Sequence, residues 1–247
     1  MMASPRPTWA GLLPARFSIG HENEGTQMAE PLASTSGTVS PASAPPAPSP
    51  AAAYMAGNPA VFGLLIFSVG GTVLGISLLG YVSAVAQGGS VMPIILTGTG
   101  MGVLLTAIWA AAQGQTFLAT VFGAFAGFWI SYSALVLGLT HNWYGIPAAD
   151  IAHTVAQFLI AWAVVILMLA LVSLRIPLAF TLILASALVA IVLLIIADLN
   201  GTTSLDKVAG IFVLLFSAVG FYAYLSTGLE SVGGKALPLG RPVIISK

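Results

Sequence analysis

The side chains that could do chemistry are few, and nearly all of them stand outside the apolar stretches of the sequence. Cysteine is absent, which excludes disulfides and thiolate chemistry. Asp150 and His153 are the nearest thing to a titrating pair, but a helix cap beside an interfacial histidine explains them more simply. No apolar stretch holds a Ser/His/Asp set, paired carboxylates or a cluster of metal ligands. The sequence therefore argues against an enzyme, and we expect no cofactor and no metal.

The composition indicates what surrounds these few residues. Hydrophobic residues make up 58% of the chain and charged residues 6%, and the mean hydropathy is +1.01. No Asp, Glu, Lys or Arg occurs between Glu30 and Asp150. A water-soluble fold could not keep such a surface in solution, so we predict an integral membrane protein in contact with the lipid bilayer. The formal net charge of zero argues against a nucleic-acid partner, which requires a basic surface.

The chain divides into three parts by composition. Residues 1–56 are predicted to form a disordered tail rich in Pro, Ala and Ser, in which Met28 begins a second plausible reading frame. Residues 57–231 are predicted to form six transmembrane helices, and residues 232–247 a short C-terminal tail. The apolar segments fall at about 59–84, 91–112, 116–139, 152–174, 177–197 and 208–229. The predicted fold class is an all-α integral membrane protein.

The distribution of basic residues predicts the orientation of these helices. With six spans, both termini and the second and fourth loops share one side of the membrane. That side carries Arg6, Arg16, Arg175, Lys235, Arg241 and Lys247. The opposite side carries Lys207, together with Asp150, Asp198 and Asp206. Because Lys and Arg are enriched in cytoplasmic loops, we expect a multi-pass protein of the plasma membrane with both termini in the cytoplasm.

Glycines and aromatic residues recur at helical spacing within the apolar segments. Three glycine pairs have the four-residue spacing that lets membrane helices approach closely: Gly71/Gly75, Gly98/Gly102 and Gly123/Gly127. One face of the third helix carries Phe122, Phe125, Trp129 and Tyr132. Close packing without any pore would explain the glycines, and lipid-facing or core positions would explain the aromatic residues. The alternative is a hydrophobic constriction that lines a conduit.

The first helix begins at a defined cap. Asn58 can accept a hydrogen bond from the first turn of a helix, and Pro59 suits the first helical position. Asn58-Pro59-Ala60 is also similar to the water-channel signature. Water channels, however, carry two such tripeptides on re-entrant half-helices, whereas this chain has one at the start of a full span. The tripeptide therefore favours a helix start over a water channel.

Four motifs in order carry a resemblance to a known family. They are Asn58-Pro59-Ala60-Val61-Phe62-Gly63-Leu64, Gly114-Gln115-Thr116-Phe117 with Gly127-Phe128-Trp129, Trp162 thirteen residues before Arg175, and Tyr222 with Gly234-Lys235-Ala236-Leu237-Pro238-Leu239-Gly240. Over residues 57–242 the chain resembles the acetate uptake transporter family, the succinate–acetate permeases. The resemblance implies a six-helix protomer with its own central pore, assembled as a homo-oligomer, a hexamer. Members pass acetate and succinate, often with proton coupling.

The resemblance also implies which residues form the pore. Phe67 on the first helix, Phe125 on the third and Leu188 on the fifth would form a narrow point. Asn58 and the amide end of the first helix would bind the substrate carboxylate. The other pore or substrate-binding residues implied by the matching motifs are Pro59, Ala60, Gly63, Gln115, Thr116 and Tyr222.

The chain departs from the family pattern at polar positions. Val103 and Ala110 stand where relatives usually carry Gln and Glu, and Gln115 replaces Asn. We therefore interpret the chain as a divergent member that passes small mono- or dicarboxylates such as acetate or succinate. Anions would be attracted by helix N-termini, and any proton would travel with the substrate or through water. The alternatives are a channel for urea, ammonia or water, and a structural membrane protein that transports nothing.

Overall fold

The computed structural model describes residues 56–245, so the predicted tail at 1–56 lies outside the described residues except for its last position. The helices are α1 (Pro59–Leu78), α2 (Ala84–Ser90), α3 (Met101–Ala112), α4 (Thr116–Thr140), α5 (Ile151–Ser173), α6 (Leu178–Asn200) and α7 (Thr203–Ser231). A π-helical segment, Ile94–Gly100, precedes α3, and a short 3-10 turn, Ala148–Asp150, precedes α5.

Six spans are long and apolar enough to cross a membrane, as the sequence predicts. The second span is Ala86–Ala112, which runs from α2 through the π-helical segment into α3. Pro93 lies just before the π-helical segment and has no N–H to donate to the preceding turn. Local rewinding of the helix after such a break is a common cause of π geometry.

Several predicted helix boundaries are wrong. Helix α1 ends at Leu78 instead of residue 84, and the expected loop at 87–90 is helical. The last loop is only Gly201 and Thr202, where Gly201 adopts a left-handed φ of 62° and stops α6. Helix α7 therefore begins five residues earlier than predicted, at Thr203 instead of residue 208.

The helices pack into a ring around a buried centre. Helix α1 packs most extensively on α7, α7 on α6 and α6 on α5, while α3 packs on α4 and a smaller α4–α5 contact closes the ring. The α1–α7 contact is close because it is built on glycine. A Cβ at Gly71 would overlap Ser217 and the Phe216 ring, and one at Gly75 would meet Leu214 at 2.7 Å. The first glycine pair therefore packs helices, as its spacing predicts.

Candidate functional site

Three phenylalanine rings meet at the centre of the bundle. The Phe67 and Phe125 ring centroids lie 4.6 Å apart in an edge-to-face arrangement, and the Phe67 and Phe216 centroids lie 5.2 Å apart. These side chains are 2%, 4% and 4% exposed, respectively. They come from α1, α4 and α7, and we call them the constriction. The aromatic residues at 67 and 125 therefore face the interior of the bundle and not lipid.

A cavity of about 200 Å³ lies on one side of the constriction, between α1, α4 and α6. We call it the near cavity, because it lies toward the end where α1, α4 and α6 begin. Its wall is entirely apolar and includes Leu64, Phe67, Phe117, Phe125, Phe180 and Leu184. Ile176 and Pro177, from the α5–α6 turn, complete the wall at that end.

A second cavity, of about 30 Å³, lies on the other side of the constriction. We call it the far cavity, since it lies toward the end where α1 and α6 finish. Its wall includes Leu74, Phe125, Trp129, Ile191, Val213 and Phe216. Phe125 belongs to both walls, so the two cavities meet at the constriction, where ring contacts close the passage between them.

The fifth-span leucine predicted at the narrow point lies outside both cavity walls. Leu188 is half-buried and lines neither cavity. Leu184, one helical turn earlier, is 2% exposed and forms part of the near-cavity wall. Helix α6 begins at Leu178, after the tight turn through Arg175, and its rotation depends on packing against α5 and α7. Sequence spacing alone could not fix that rotation.

The N–H groups in the first turn of α1 form hydrogen bonds with the N-cap residue. Asn58 Oδ1 accepts the N–H of Ala60 at 3.0 Å, and the Asn58 carbonyl accepts the N–H of Val61 at 3.2 Å. Pro59 has no N–H to offer. The N–H groups of Ala60 and Val61 therefore already have partners within the cap, and carboxylate binding at this helix end stays a prediction. Asn58 itself is exposed, whereas Pro59 and Ala60 are buried.

Three other predicted residues lie near the two cavities without lining either of them. The Phe122 ring and Thr106 approach Gly63 so closely that a Cβ there would lie 2.5 Å from the ring, so Gly63 is a packing glycine. Gln115 and Thr116 are exposed in the α3–α4 turn and line neither cavity. Gln115 Nε2 donates to Gln113 Oε1 at 2.7 Å, which places both amides at the near end.

Tyr222 lies on the outside of the bundle near the C-terminal segment. Its side chain is 37% exposed, and its hydroxyl donates to the Pro238 carbonyl at 2.9 Å. Ser226 Oγ donates to the Leu237 carbonyl at 2.8 Å one turn further along α7. The N–H of Ala179 at the start of α6 donates to Leu239 O at 3.0 Å. This segment therefore joins the end of α7 to the start of α6.

Two of the positions where the chain departs from the family pattern are buried. Val103 and Ala110 are both 0% exposed. Neither residue lines the near or the far cavity, and no residue of α3 does.

The two ends of the passage differ in charge. Arg175 is exposed in the turn whose next two residues line the near cavity. At the far end Asp198 and Asp206 are half-buried in the last turn of α6 and the first turn of α7. An anion therefore meets a cationic near end and an anionic far end.

Sequence reasoning missed Phe216 as a part of the constriction. A signal was present, since Ala209, Val213, Phe216 and Gly220 follow the helical spacing of one buried face. That pattern predicts a buried face but not its partner. Only the packing of α7 against α1 shows that this face meets Phe67.

The comparison with protein families decides the identity of the fold. The model of the GPR1/FUN34/yaaH family matches residues 37–232, more than three quarters of the chain. The chain belongs to this family. A solved structure described as the bacterial acetate channel SatP is 25% identical with a TM-score of 0.67, over 75% of this chain and 99% of that one. The family and this structural likeness confirm the predicted family and the all-α membrane fold.

Two curated relatives are similar over most of this chain. The acetate transporter protein patA of Aspergillus clavatus is 25% identical over 74% of this chain and 78% of its own length. Ammonia transport outward protein 2 of Saccharomyces cerevisiae is 26% identical over 72% of this chain. The chain spans only 63% of the length of that second relative. The chain is therefore a multi-pass membrane protein of a family whose named relatives are transporters or channels and not enzymes.

Proposed function

We propose that this protein passes acetate and related small carboxylates along the passage through the centre of each protomer. The observation that carries the proposal is the constriction, in which Phe67 and Phe125 separate two apolar cavities inside one six-span bundle. Relatives named as an acetate transporter and an acetate channel support carboxylates as the substrate class.

The passage selects by size and hydration. The near cavity, of about 200 Å³, has room for a small carboxylate, and its apolar wall gives a hydrated ion nothing to replace its water. Rings in contact at the constriction must separate to let a solute through, so a longer chain or a hydration shell raises the barrier. Arg175 at the near end raises the local concentration of anions.

Any proton that moves with the substrate travels on it or through water. Neither cavity wall includes an Asp, Glu, His, Lys or Arg side chain. A relay of titrating side chains inside the two cavities is therefore not part of the proposed mechanism. Protonated acetic acid also crosses an apolar constriction at a lower desolvation cost than the anion.

The direct test is uptake of radiolabelled acetate into proteoliposomes, with and without a pH gradient. We expect saturable uptake above that of empty vesicles, with competition by small carboxylates and weak competition by larger ones. Uptake equal to that of empty vesicles, from protein shown to be folded, would contradict the proposal and favour a structural protein.

A channel for small neutral solutes is the second candidate. The cavity walls carry no charge, and one relative is named for outward ammonia transport, which together favour it. Liposome swelling in iso-osmotic acetate, urea and ammonium solutions separates the two candidates. Faster swelling in urea or ammonium than in acetate supports the neutral-solute channel.

The proposed assembly is a hexamer in the plasma membrane, with both termini in the cytoplasm. Each protomer carries its own passage, so the assembly would place six passages side by side. Native mass spectrometry of the purified protein tests the number of protomers. Protease access to a tag after Lys247 in sealed right-side-out vesicles tests the orientation, and cleavage without lysis would contradict it.

A further inference from the structure

The near cavity offers a solute no polar partner. Its wall consists of phenylalanine, leucine, isoleucine, valine and proline side chains, and no polar atom is exposed on its surface. Buried hydroxyls on the surrounding helices do not change this, because they donate to their own backbone. Ser68 Oγ donates to Leu64 O at 2.7 Å, and Thr106 Oγ1 donates to Gly102 O at 2.9 Å. A polar group that enters the near cavity therefore loses its hydrogen bonds with water and gains none.

The size of the near cavity suits a short hydrocarbon chain. Its volume is about 200 Å³. An apolar protein cavity of about 150 Å³ holds a benzene molecule, which has as many non-hydrogen atoms as butyric acid. Each methylene group that leaves water for an apolar wall strengthens binding about fourfold. The near cavity therefore rewards an aliphatic chain of a few carbons.

The two ends of the near cavity differ in their access to charge and water. At the near end, Ile176 and Pro177 line the wall and directly follow Arg175, which is exposed. At the inner end, the Phe67 and Phe125 side chains are in contact and are 2% and 4% exposed. A molecule with a single polar group can keep that group at the near end. A second polar group, at the opposite end of the molecule, would face the phenylalanine rings without a partner.

We propose that the near cavity binds the hydrocarbon chain of a short aliphatic monocarboxylic acid, with the carboxyl group toward Arg175, and discriminates against dicarboxylic and hydroxy acids. This inference rests on the proposed transport of small carboxylates and narrows it to acids with one polar end. A charged group without a partner costs far more to bury than a hydroxyl group does. Dicarboxylic acids are therefore excluded most strongly.

Binding in the near cavity and passage through the constriction respond to chain length in opposite directions. A longer chain buries more apolar surface in the near cavity and so binds more tightly. The same chain must displace the Phe67 and Phe125 rings further, because their centroids lie only 4.6 Å apart. Butyrate is therefore expected to compete well with acetate and to cross slowly. An acid too long for the cavity, such as octanoate, should compete weakly.

Competition against labelled acetate tests the site in the wild-type protein. Acetate exchange in proteoliposomes at equal internal and external pH is measured with unlabelled propionate, butyrate, 3-hydroxybutyrate or succinate, and the rate in empty vesicles is subtracted. We expect the half-inhibiting concentration to fall about fourfold with each methylene from acetate to butyrate. Compared with butyrate, 3-hydroxybutyrate should compete about tenfold less well, and succinate at least about a hundredfold less well. Because butyrate and 3-hydroxybutyrate ionise over a similar pH range, this pair isolates the cost of one neutral polar group.

A Val121→Phe variant tests whether the chain occupies this cavity. Val121 lines the near cavity, and a phenylalanine at this position would fill part of its volume. The advantage of butyrate over acetate should then fall about tenfold, because the added methylenes no longer find room. Val164→Phe is the matched control, since Val164 is 55% exposed on α5 and lines neither cavity. This control should keep the wild-type order of competitors.

The outcomes separate this inference from the proposed function. Wild-type acetate exchange in which succinate or 3-hydroxybutyrate competes as well as butyrate would overturn the hydrocarbon site and leave the transport proposal standing. This series needs no variant, so it decides the question even where Val121→Phe fails to fold. A wild-type protein that exchanges no acetate would overturn both proposals. A gain with chain length that Val121→Phe abolishes and Val164→Phe keeps would establish the site.

Discussion

The near and far cavities share the Phe125 ring, yet they differ in size by several-fold, at about 200 and 30 Å³. The near cavity is apolar throughout and could hold a whole small carboxylate. The far cavity has room for about one water-sized group, and its surface is apolar as well. The comparison therefore shows one open half and one tightly packed half of the same apolar interior.

The charges at the two ends extend this difference. Arg175 lies beside the near cavity, while Asp198 and Asp206 lie at the far end. An anion is therefore attracted at one end and repelled at the other. A protonated acid experiences neither effect, so this asymmetry acts on the ionised form alone.

The largest effect is expected from closing the far cavity with a single methyl group. In Gly71→Ala the new Cβ would overlap Ser217 and the Phe216 ring, and Phe216 lines the far cavity. Overpacking of this kind costs about 1–3 kcal/mol, and the displaced ring should lower acetate uptake more than tenfold. Thermal unfolding in detergent and proteoliposome uptake measure the two effects.

Gly98→Ala is the matched control for this substitution, because a Cβ at Gly98 meets nothing within 4 Å. It should leave both stability and uptake near those of the wild-type protein. Equal behaviour of the two alanine variants would show that the α1–α7 contact does not shape the far cavity.

Opening the constriction is expected to merge the two cavities. Phe67→Ala removes the ring that contacts both Phe125 and Phe216. Uptake of butyrate relative to acetate should rise about tenfold, equivalent to a loss of about 1.4 kcal/mol of discrimination. Phe62→Ala is the control, because the Phe62 side chain is 37% exposed on the outer face of the same helix. This variant should keep the original selectivity. Unchanged selectivity in Phe67→Ala would remove Phe67 from the narrow point.

A smaller effect is expected from the far end. Asp198→Asn removes one of the two negative charges there, so acetate uptake at low ionic strength should rise about two- to threefold. The increase should disappear at about 1 M salt, where the screening length is about 3 Å. Lys207→Gln, which removes the neighbouring positive charge, should change uptake in the opposite direction. A rise that persists in high salt would contradict an electrostatic origin.

The sequence predicted the helices better than it predicted their faces. Six spans follow from apolar length and the near absence of charge, and the Asn58 cap follows from local chemistry. The rotation of α6 depends on packing against two other helices, so Leu184 and not Leu188 reaches the near cavity. The partner of Phe216 likewise depends on a contact between residues far apart in the chain.

Several site residues that were predicted from motifs make packing or capping contacts in the structure, and their role in transport stays a prediction. Gly63 packs against Phe122, and the polar atoms of Asn58 serve its cap. A motif records that a residue type suits a place, and it does not distinguish a ligand contact from a packing contact.

The smallest effect on transport is expected at Tyr222, which the family resemblance placed among the pore residues. Its hydroxyl bonds to Pro238 O on the outer surface, away from both cavity walls. Tyr222→Phe should therefore lower the free energy of unfolding by about 1 kcal/mol and leave acetate uptake and selectivity unchanged. Ser226→Ala, which removes the neighbouring bond to Leu237 O, should behave in the same way. A change in selectivity in either variant would mean that the C-terminal segment controls entry to the near cavity, since it also bonds to the start of α6.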